Sequence, residues 1–309
     1  MKIAVTAGDV NGIGLELFTK VLDHFYDDLI LYSNKGTYNS YLKAVGLTPN
    51  HCEIKNIDFD YKPQLGTLSS KSGKHAILSI QDAVNDAIQG KVDAIVTLPI
   101  NKESVYKAGW KYPGHTEFFA DKFKEHDFNM LLAYENIRVI PITIHVPLKE
   151  VSNKISFELI KSKIRSFKNS LVQDFGIKNP RIAILGLNPH AGENGTIGNE
   201  ELEIIIPAIN DLKELNLDGP FPADGFFGFG EYLNYDGIVS MYHDQGLIPL
   251  KLISKGAGVN VTSGLPIVRT SPDHGTAFEI AGKNIASAES LKQSIILAKE
   301  IVENRKGLK

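Results

Sequence analysis

Short apolar runs alternate along the chain with longer stretches whose apolar positions recur every three or four residues, the rhythm of parallel α/β folds and not of all-β or bundle proteins. Ile3 to Thr6 predicts a first strand, followed by the turn Gly8-Asp9-Val10-Asn11-Gly12-Ile13-Gly14 and a helix reaching about His24. Residues 29–32 predict a second strand. From Gly73 onward Ile77, Ile80, Val84 and Ile88 fall at helical spacing, with Gly90 as the stop. A strand over Ala94 to Leu98 follows, ended by Pro99. The pattern also predicts strands over Arg138 to Ile144, Arg181 to Leu187 and Gly237 to Tyr242, and helices over Leu159 to Phe175 and Glu200 to Leu215. A last helix is expected from Ser287, as N-cap, to about Asn304, burying Leu291, Ile295, Ile296 and Ala298.

With 309 residues and 43% hydrophobic content, the chain is long enough for two packed cores, or one large bilobed one. A net charge of -3 and a charged fraction of 22% argue against nucleic acid or an anionic membrane as partner. Any anionic ligand has to be held by local charge. The single cysteine, Cys52, excludes an intrachain disulfide and leaves too few thiolates for a cysteine-based zinc site; a reducing cytoplasm fits. The apolar run at the N-terminus is too short for a signal-peptide core, and none approaches the ~18 residues of a membrane helix. No repeat or low-complexity tract marks a domain boundary.

His145, His190 and His243 each follow an apolar strand run directly or within a few residues, in Ile144-His145-Val146, Asn188-Pro189-His190 and Tyr242-His243-Asp244. The carboxyl edge of an open α/β sheet is where ligands bind. A lone histidine is usually structural or incidental, but three at strand ends can make a three-nitrogen metal site with open positions for substrate. A metal there would lower the pKa of a coordinated alcohol and polarise the developing carbonyl. Lys251, Asn260 and Arg269, with Lys102 and His115-Thr116 upstream, form a second set suited to a phosphate or carboxylate. Lys102 or Lys251 alone reads as a solvated surface charge; Arg269, between apolar and turn residues in Gly264 to Ser271, does not. Gly12 and Gly14 lack the third glycine of the dinucleotide fingerprint, so they read equally as a strand-to-helix turn or as a helix N-terminus approaching an anion or cofactor.

These blocks resemble the 4-hydroxythreonine-4-phosphate dehydrogenase family of pyridoxal phosphate biosynthesis over most of the chain. The matching segments are Thr6 to Glu16, Leu98 to Lys102, Gly114 to Ala120, Gly186 to Gly192, Met241 to Gly246 and Gly258 to Gly282. One departure is that Ala7, Val10 and Leu15 stand where the family usually has prolines, and Asp9 where it has Glu. The resemblance implies two α/β/α domains with a central cleft, like isocitrate and isopropylmalate dehydrogenases, with residues 1–126 and 262–309 in the first and 127–261 in the second, which carries the metal ligands and dimer contacts. It implies that His145, His190 and His243 hold a divalent metal, zinc first with cobalt or magnesium as alternatives, although magnesium favours oxygen ligands. It makes His115, Thr116, Lys251, Asn260 and Arg269 substrate contacts. The segment Asp273-His274-Gly275-Thr276-Ala277 looks like the cofactor loop of the wider superfamily, which explains NAD or NADP binding without the usual fingerprint; Gly12 and Gly14 would join it.

The expected reaction is oxidation of 4-phosphohydroxy-L-threonine to 2-amino-3-oxo-4-phosphooxybutanoate, which decarboxylates to 3-amino-2-oxopropyl phosphate. Lys102 or Asp244 would assist proton transfer. The resemblance also implies a cytoplasmic homodimer with its active site at the subunit interface, without nucleic acid or membrane partners. Within the family the rival substrates are 4-phospho-D-threonate and 4-phospho-erythronate. Outside it, three histidines beside a phosphate site would suit a metal-dependent phosphohydrolase, or a non-catalytic protein that binds a phosphorylated metabolite.

Overall fold

The apolar runs form strands, most of them paired in parallel. A computed structural model describes residues 1–25, 27–48, 52–123 and 127–307. Its strands are β1 (Ile3–Thr6), β2 (Leu29–Ser33), β3 (Glu53–Asn56), β4 (Ala94–Thr97), β5 (Asn129–Tyr134), β6 (Ile137–Thr143), β7 (Arg181–Leu185), β8 (Asn216–Phe221), β9 (Gly237–Tyr242), β10 (Val259–Ser263) and β11 (Val268–Pro272). Contacts divide the chain into one unit of Met1–Phe123 with Pro266–Val302 and another of Lys124–Leu265 with Glu303–Lys309.

The expected boundary at residue 126 lies outside the described residues. Residues 262–265 and those from Glu303 group with the second unit, not with the first as expected. Thr262 and Ser263 pair with β5. Asn304 donates to the Asp174 carbonyl at 2.8 Å, and Arg305 donates to the Asp174 carboxylate at 2.6 Å and to the Leu265 carbonyl at 3.1 Å.

In the first unit the strand order is β3-β2-β1-β4-β11, with every pair parallel. All of β1 is buried, as a parallel strand covered on both faces requires. Helix Ser70–Ile88 packs on β1, β2 and β4. It starts before the expected Gly73 because the Ser69 side chain caps it, accepting from the Lys71 N–H. Its Ala76, Ile80, Ala83 and Val84 are buried.

The second unit has the order β10-β5-β6-β9-β7-β8. Its β10/β5 and β5/β6 pairs are antiparallel, whereas β6, β9, β7 and β8 run parallel. Helix His243–Ser254 covers one face, its Leu247 and Leu250 packing with Leu132, Val139 and Ile238. Helix Phe157–Gln173 covers the other: its Phe167 ring lies so close to Gly237 that a Cβ there would fall 2.6 Å from it. Gly237 and Ile238 are consecutive in β9 and so face opposite sides, which makes this unit an α/β/α sandwich.

The helix expected over Glu200 to Leu215 is not one helix. A π-turn at Glu201–Ile205 leads into a short helix, Ile206–Asp211, and Asn216–Phe221 is strand β8. Pro207 has no N–H to give the preceding turn, and a π-turn is one way a helical ladder absorbs such a gap. β7 ends at Leu185, short of the expected Leu187, and the Gly186 N–H goes to the Phe221 carbonyl instead at 2.9 Å.

Candidate active site

β6 and β9 are neighbours with Thr143 opposite Tyr242, so their carboxyl ends bring His145 and His243 side by side. The ring centroids are 6.1 Å apart and the planes are inclined by 40°. His243 opens helix His243–Ser254, and its Nδ1 lies 2.7 Å from Oδ1 of Asp244. A carboxylate only accepts, so Nδ1 carries the proton and Nε2 is left for a ligand. His145, Pro147, Leu148, Val151, Tyr242 and His243 line a hollow of about 420 Å³. A second hollow of about 470 Å³, along helix Phe157–Gln173 beside Lys161, Arg165 and Arg305, contains no candidate residue.

His190 lies beyond the end of β7 and is exposed. It begins a run of left-handed backbone with φ of 52°, 50°, 79°, 45° and 53° over His190, Ala191, Gly192, Glu193 and Asn194. Each non-glycine residue so placed costs about 1–2 kcal/mol, so the run persists only because its surroundings fix it. Gln245 is one such restraint: its Oε1 accepts from the Met241 N–H at 2.7 Å and its Nε2 donates to the Gly186 carbonyl at 2.6 Å, tying the strand ends that lead to His243 and His190.

Among the described residues no group of three or more His, Cys, Asp or Glu side chains is gathered closely enough to hold a metal ion. His145 and His243 fit a divalent ion as a neighbouring pair of nitrogen donors with one ring already oriented; His190 is not clustered with them. Lys251 is exposed in the last turn of helix His243–Ser254. Asn260, in β10, has a buried Oδ1 with no hydrogen-bond partner among the described residues.

In the first unit β11 pairs with β4, which brings Arg269 beside Thr97. Arg269 is 2% exposed, and its guanidinium donates from Nη2 and Nε to Thr97 Oγ1 at 2.6 and 3.2 Å and lies 5.5 Å from the Phe119 ring centroid. Burial pulls its pKa down to about 9, partly opposed by Glu117, so it stays charged at neutral pH. His115 and Thr116 open helix His115–Lys122. Burial, reinforced by the Arg269 charge, holds the His115 imidazole well below its ordinary pKa, and its Nε2 is buried without a hydrogen-bond partner among the described residues. The result is one buried cation beside a neutral ring, an arrangement suited to an anion. Lys102 is exposed at the start of helix Lys102–Lys107, whose cap is the Asn101 side chain accepting from the Ser104 N–H.

Also in this unit, the Gly12 turn meets the 273–277 loop. The Ile13 N–H donates to the Thr276 carbonyl at 3.0 Å, and a Cβ on Gly12 would fall 2.6 Å from that oxygen. Asp273 is anchored through its N–H to Ser290 Oγ at 3.0 Å, His274 Nδ1 lies 3.2 Å from the Gly275 carbonyl, and Ala277 takes a left-handed φ of 43°. Gly14 begins helix Gly14–Phe25 directly after the turn. Asn11 holds that turn to residues 61–67, donating to the Thr67 carbonyl and the Tyr61 hydroxyl at 2.8 and 3.2 Å and accepting from the Gln64 N–H at 2.8 Å.

The two α/β units place the chain in the isocitrate dehydrogenase type of fold. An isocitrate dehydrogenase from Methylococcus capsulatus is similar at a TM-score of 0.53, with 13% identity, over 99% of this chain and 86% of that one. A family model described as pyridoxal phosphate biosynthetic protein PdxA matches residues 20–298, and the chain belongs to that family. It is 40% identical to the 4-hydroxythreonine-4-phosphate dehydrogenase of a Sulfurihydrogenibium species, over 96% of this chain and 97% of that protein. It is 38% identical to an Oceanobacillus iheyensis protein provisionally named a D-threonate 4-phosphate dehydrogenase, over 98% of each. The crystal structure of 4-hydroxythreonine-4-phosphate dehydrogenase from Klebsiella pneumoniae is similar at a TM-score of 0.87, with 36% identity, over 97% of this chain and 98% of that one.

Proposed function

We propose that the chain is a 4-hydroxythreonine-4-phosphate dehydrogenase, oxidising 4-phosphohydroxy-L-threonine with NAD or NADP. The observation that carries the reading is the buried Arg269 guanidinium on Thr97, beside the neutral His115, in a family whose members are named for a phosphorylated substrate. Arg269 is charged, desolvated and held by Thr97, so water screens its attraction for an anion little, although Glu117 offsets part of its charge. Thr116, Lys251 and Asn260 are the further substrate contacts. Gly12, Gly14 and residues 273–277 are the cofactor contacts, a reading supported by the Gly12 turn's close approach to Thr276.

His145 and His243, with His190, would hold a divalent metal, zinc before cobalt or magnesium because the donors are imidazoles. Bound there, such an ion would lower the pKa of the substrate's C3 hydroxyl and favour the developing carbonyl. Asp244 fixes the His243 ring with Nε2 outward, an orienting task rather than that of a base. Lys102 remains a candidate for proton transfer. Oxidation at C3 would release the hydroxyl proton and give a hydride to NAD or NADP; the resulting β-keto acid, 2-amino-3-oxo-4-phosphooxybutanoate, would lose carbon dioxide to give 3-amino-2-oxopropyl phosphate.

A homodimer that shares the site fits two features of the second unit. Ile248 and Leu252, on the helix that His243 begins, are 56% and 72% exposed, and Leu148 beside His145 is 71% exposed, an apolar surface a second copy would cover. His190 is exposed and would be accessible to that copy. The single cysteine and the family are the grounds for placing the enzyme in the cytoplasm; no helix among the described residues is long and apolar enough to cross a membrane.

The second reading, oxidation of D-threonate 4-phosphate or its erythronate counterpart, has the Oceanobacillus relative in its favour. Absorbance at the reduced-nicotinamide band separates the two, with each substrate offered to NAD and to NADP before and after chelation. Turnover of phosphohydroxythreonine, lost on chelation and restored by zinc, is expected. Phosphate release without nicotinamide reduction would overturn the reading in favour of a phosphohydrolase.

A further inference from the structure

Glu201 is 1% exposed and has no part in the chemistry above. Its carboxylate grips Asn188, two residues before His190, at two points. Oε1 accepts from the Asn188 N–H at 2.7 Å and Oε2 from its Nδ2 at 2.9 Å. The other Nδ2 hydrogen is taken by Glu200 Oε2 at 2.8 Å, and the Asn188 carbonyl accepts from the Ala191 N–H at 3.1 Å. Asn188 is therefore immobilised on both its side chain and its backbone immediately before the left-handed run that begins at His190. Glu201 itself opens the π-turn Glu201–Ile205, and single π-turns concentrate at functional sites.

We infer that Glu201 is a positioning residue for His190: it clamps Asn188 and so keeps the strained turn from relaxing into ordinary backbone, which would displace His190 from the place this turn gives it beyond the end of β7. The inference rests on the metal reading for the purpose of the turn, but not for its restraint. Side chains that orient a metal ligand from behind typically account for 10–100-fold in affinity, and a strained backbone needs such over-determination.

The test compares full-length wild type, Glu201→Gln, Glu201→Ala and Asn188→Ala by amide hydrogen exchange and by titration with zinc ion alone. Glu201→Ala and Asn188→Ala are expected to speed exchange in peptides covering 188–197 by at least about tenfold, leave first-unit peptides unchanged, and weaken zinc binding about 10–100-fold. Glu201→Gln keeps one acceptor and should fall between wild type and Glu201→Ala, while avoiding any loss of folding the alanine causes. Exchange within about twofold of wild type in every variant would overturn the inference. So would loss of protection spread evenly over the second unit, the mark of a general packing residue, or a loosened turn with zinc affinity unchanged. If wild type binds no zinc, the metal reading falls and the exchange measurement alone decides the role of Glu201.

Discussion

Asp244 accepts from Nδ1 of His243 at 2.7 Å, so the carboxylate decides which imidazole nitrogen carries the proton and which is left for a ligand. An amide at this position can present either a donor or an acceptor to the ring, and the tautomer is no longer fixed. Asp244→Asn is expected to weaken zinc or cobalt binding about 10–100-fold, with little change in melting temperature because Asp244 is exposed. Isothermal titration calorimetry with each metal checks this. An unchanged affinity would mean that His243 is oriented by something else.

Arg269 cannot be replaced by another cation without consequence. Its fork reaches Thr97 with two N–H groups at once, which an ammonium on a flexible stem does not reproduce. Arg269→Lys is expected to lower kcat/KM for the phosphorylated substrate about 10–100-fold, in keeping with ~1.5–3 kcal/mol for a hydrogen bond to a charged group. The loss should lie mainly in the KM for that substrate and leave the nicotinamide KM close to wild type. Equal changes in both would place Arg269 outside the anion site.

His145 and His243 were legible because a strand followed at once by a chemically able residue puts that residue on the ligand edge of a parallel sheet. Arg269 stood out for its apolar surroundings. Its partner did not, because Thr97 is 172 positions away and meets it only once β4 and β11 pair. Glu201 lies in the first turn of the helix expected over Glu200 to Leu215 and carried no signal there; only the break at the π-turn gives it another task. Gln245 carried no signal either, since a glutamine in a first helical turn is common and its bridge spans strand ends far apart in sequence. Strands β3, β5, β8, β10 and β11 escaped prediction, two of them for a plain physical reason: Glu53–Asn56 is mostly exposed and polar, and Asn216–Phe221 contains Gly219 and Pro220, so neither shows the apolar run of a buried strand.

Gly12 is constrained by space, since a Cβ would meet the Thr276 carbonyl at 2.6 Å and the Thr276 Cβ at 2.9 Å. One of these atoms is backbone, so the turn or the 273–277 loop has to move. Gly12→Ala is expected to destabilise the protein by about 1–3 kcal/mol, as overpacking does, and to raise the nicotinamide KM more than the substrate KM. Thermal denaturation and steady-state kinetics with each ligand varied in turn measure the two effects. A variant with wild-type stability and wild-type nicotinamide KM would show that the loop tolerates displacement and does not depend on this contact.

His75 supplies a pH dependence that belongs to the fold rather than the reaction. It is wholly buried between Ser33 Oγ at 3.2 Å and the Asn34 N–H at 3.3 Å, and desolvation pushes its pKa down to about 4, partly opposed by Asp60, against 6.5 for the free side chain. Between those values the unfolded chain binds a proton that the native state refuses. The stabilising contribution is therefore complete above about pH 6.5 and is lost as the pH falls toward 4. Going from pH 7.5 to pH 5, it should diminish by about 2 kcal/mol. His75→Gln removes the titration while keeping an acceptor for the Asn34 N–H. Its stability, whatever its level at neutral pH, should fall less steeply with acid than that of wild type in urea unfolding series. Parallel slopes for the two proteins would mean that His75 is protonated in the native state over this range.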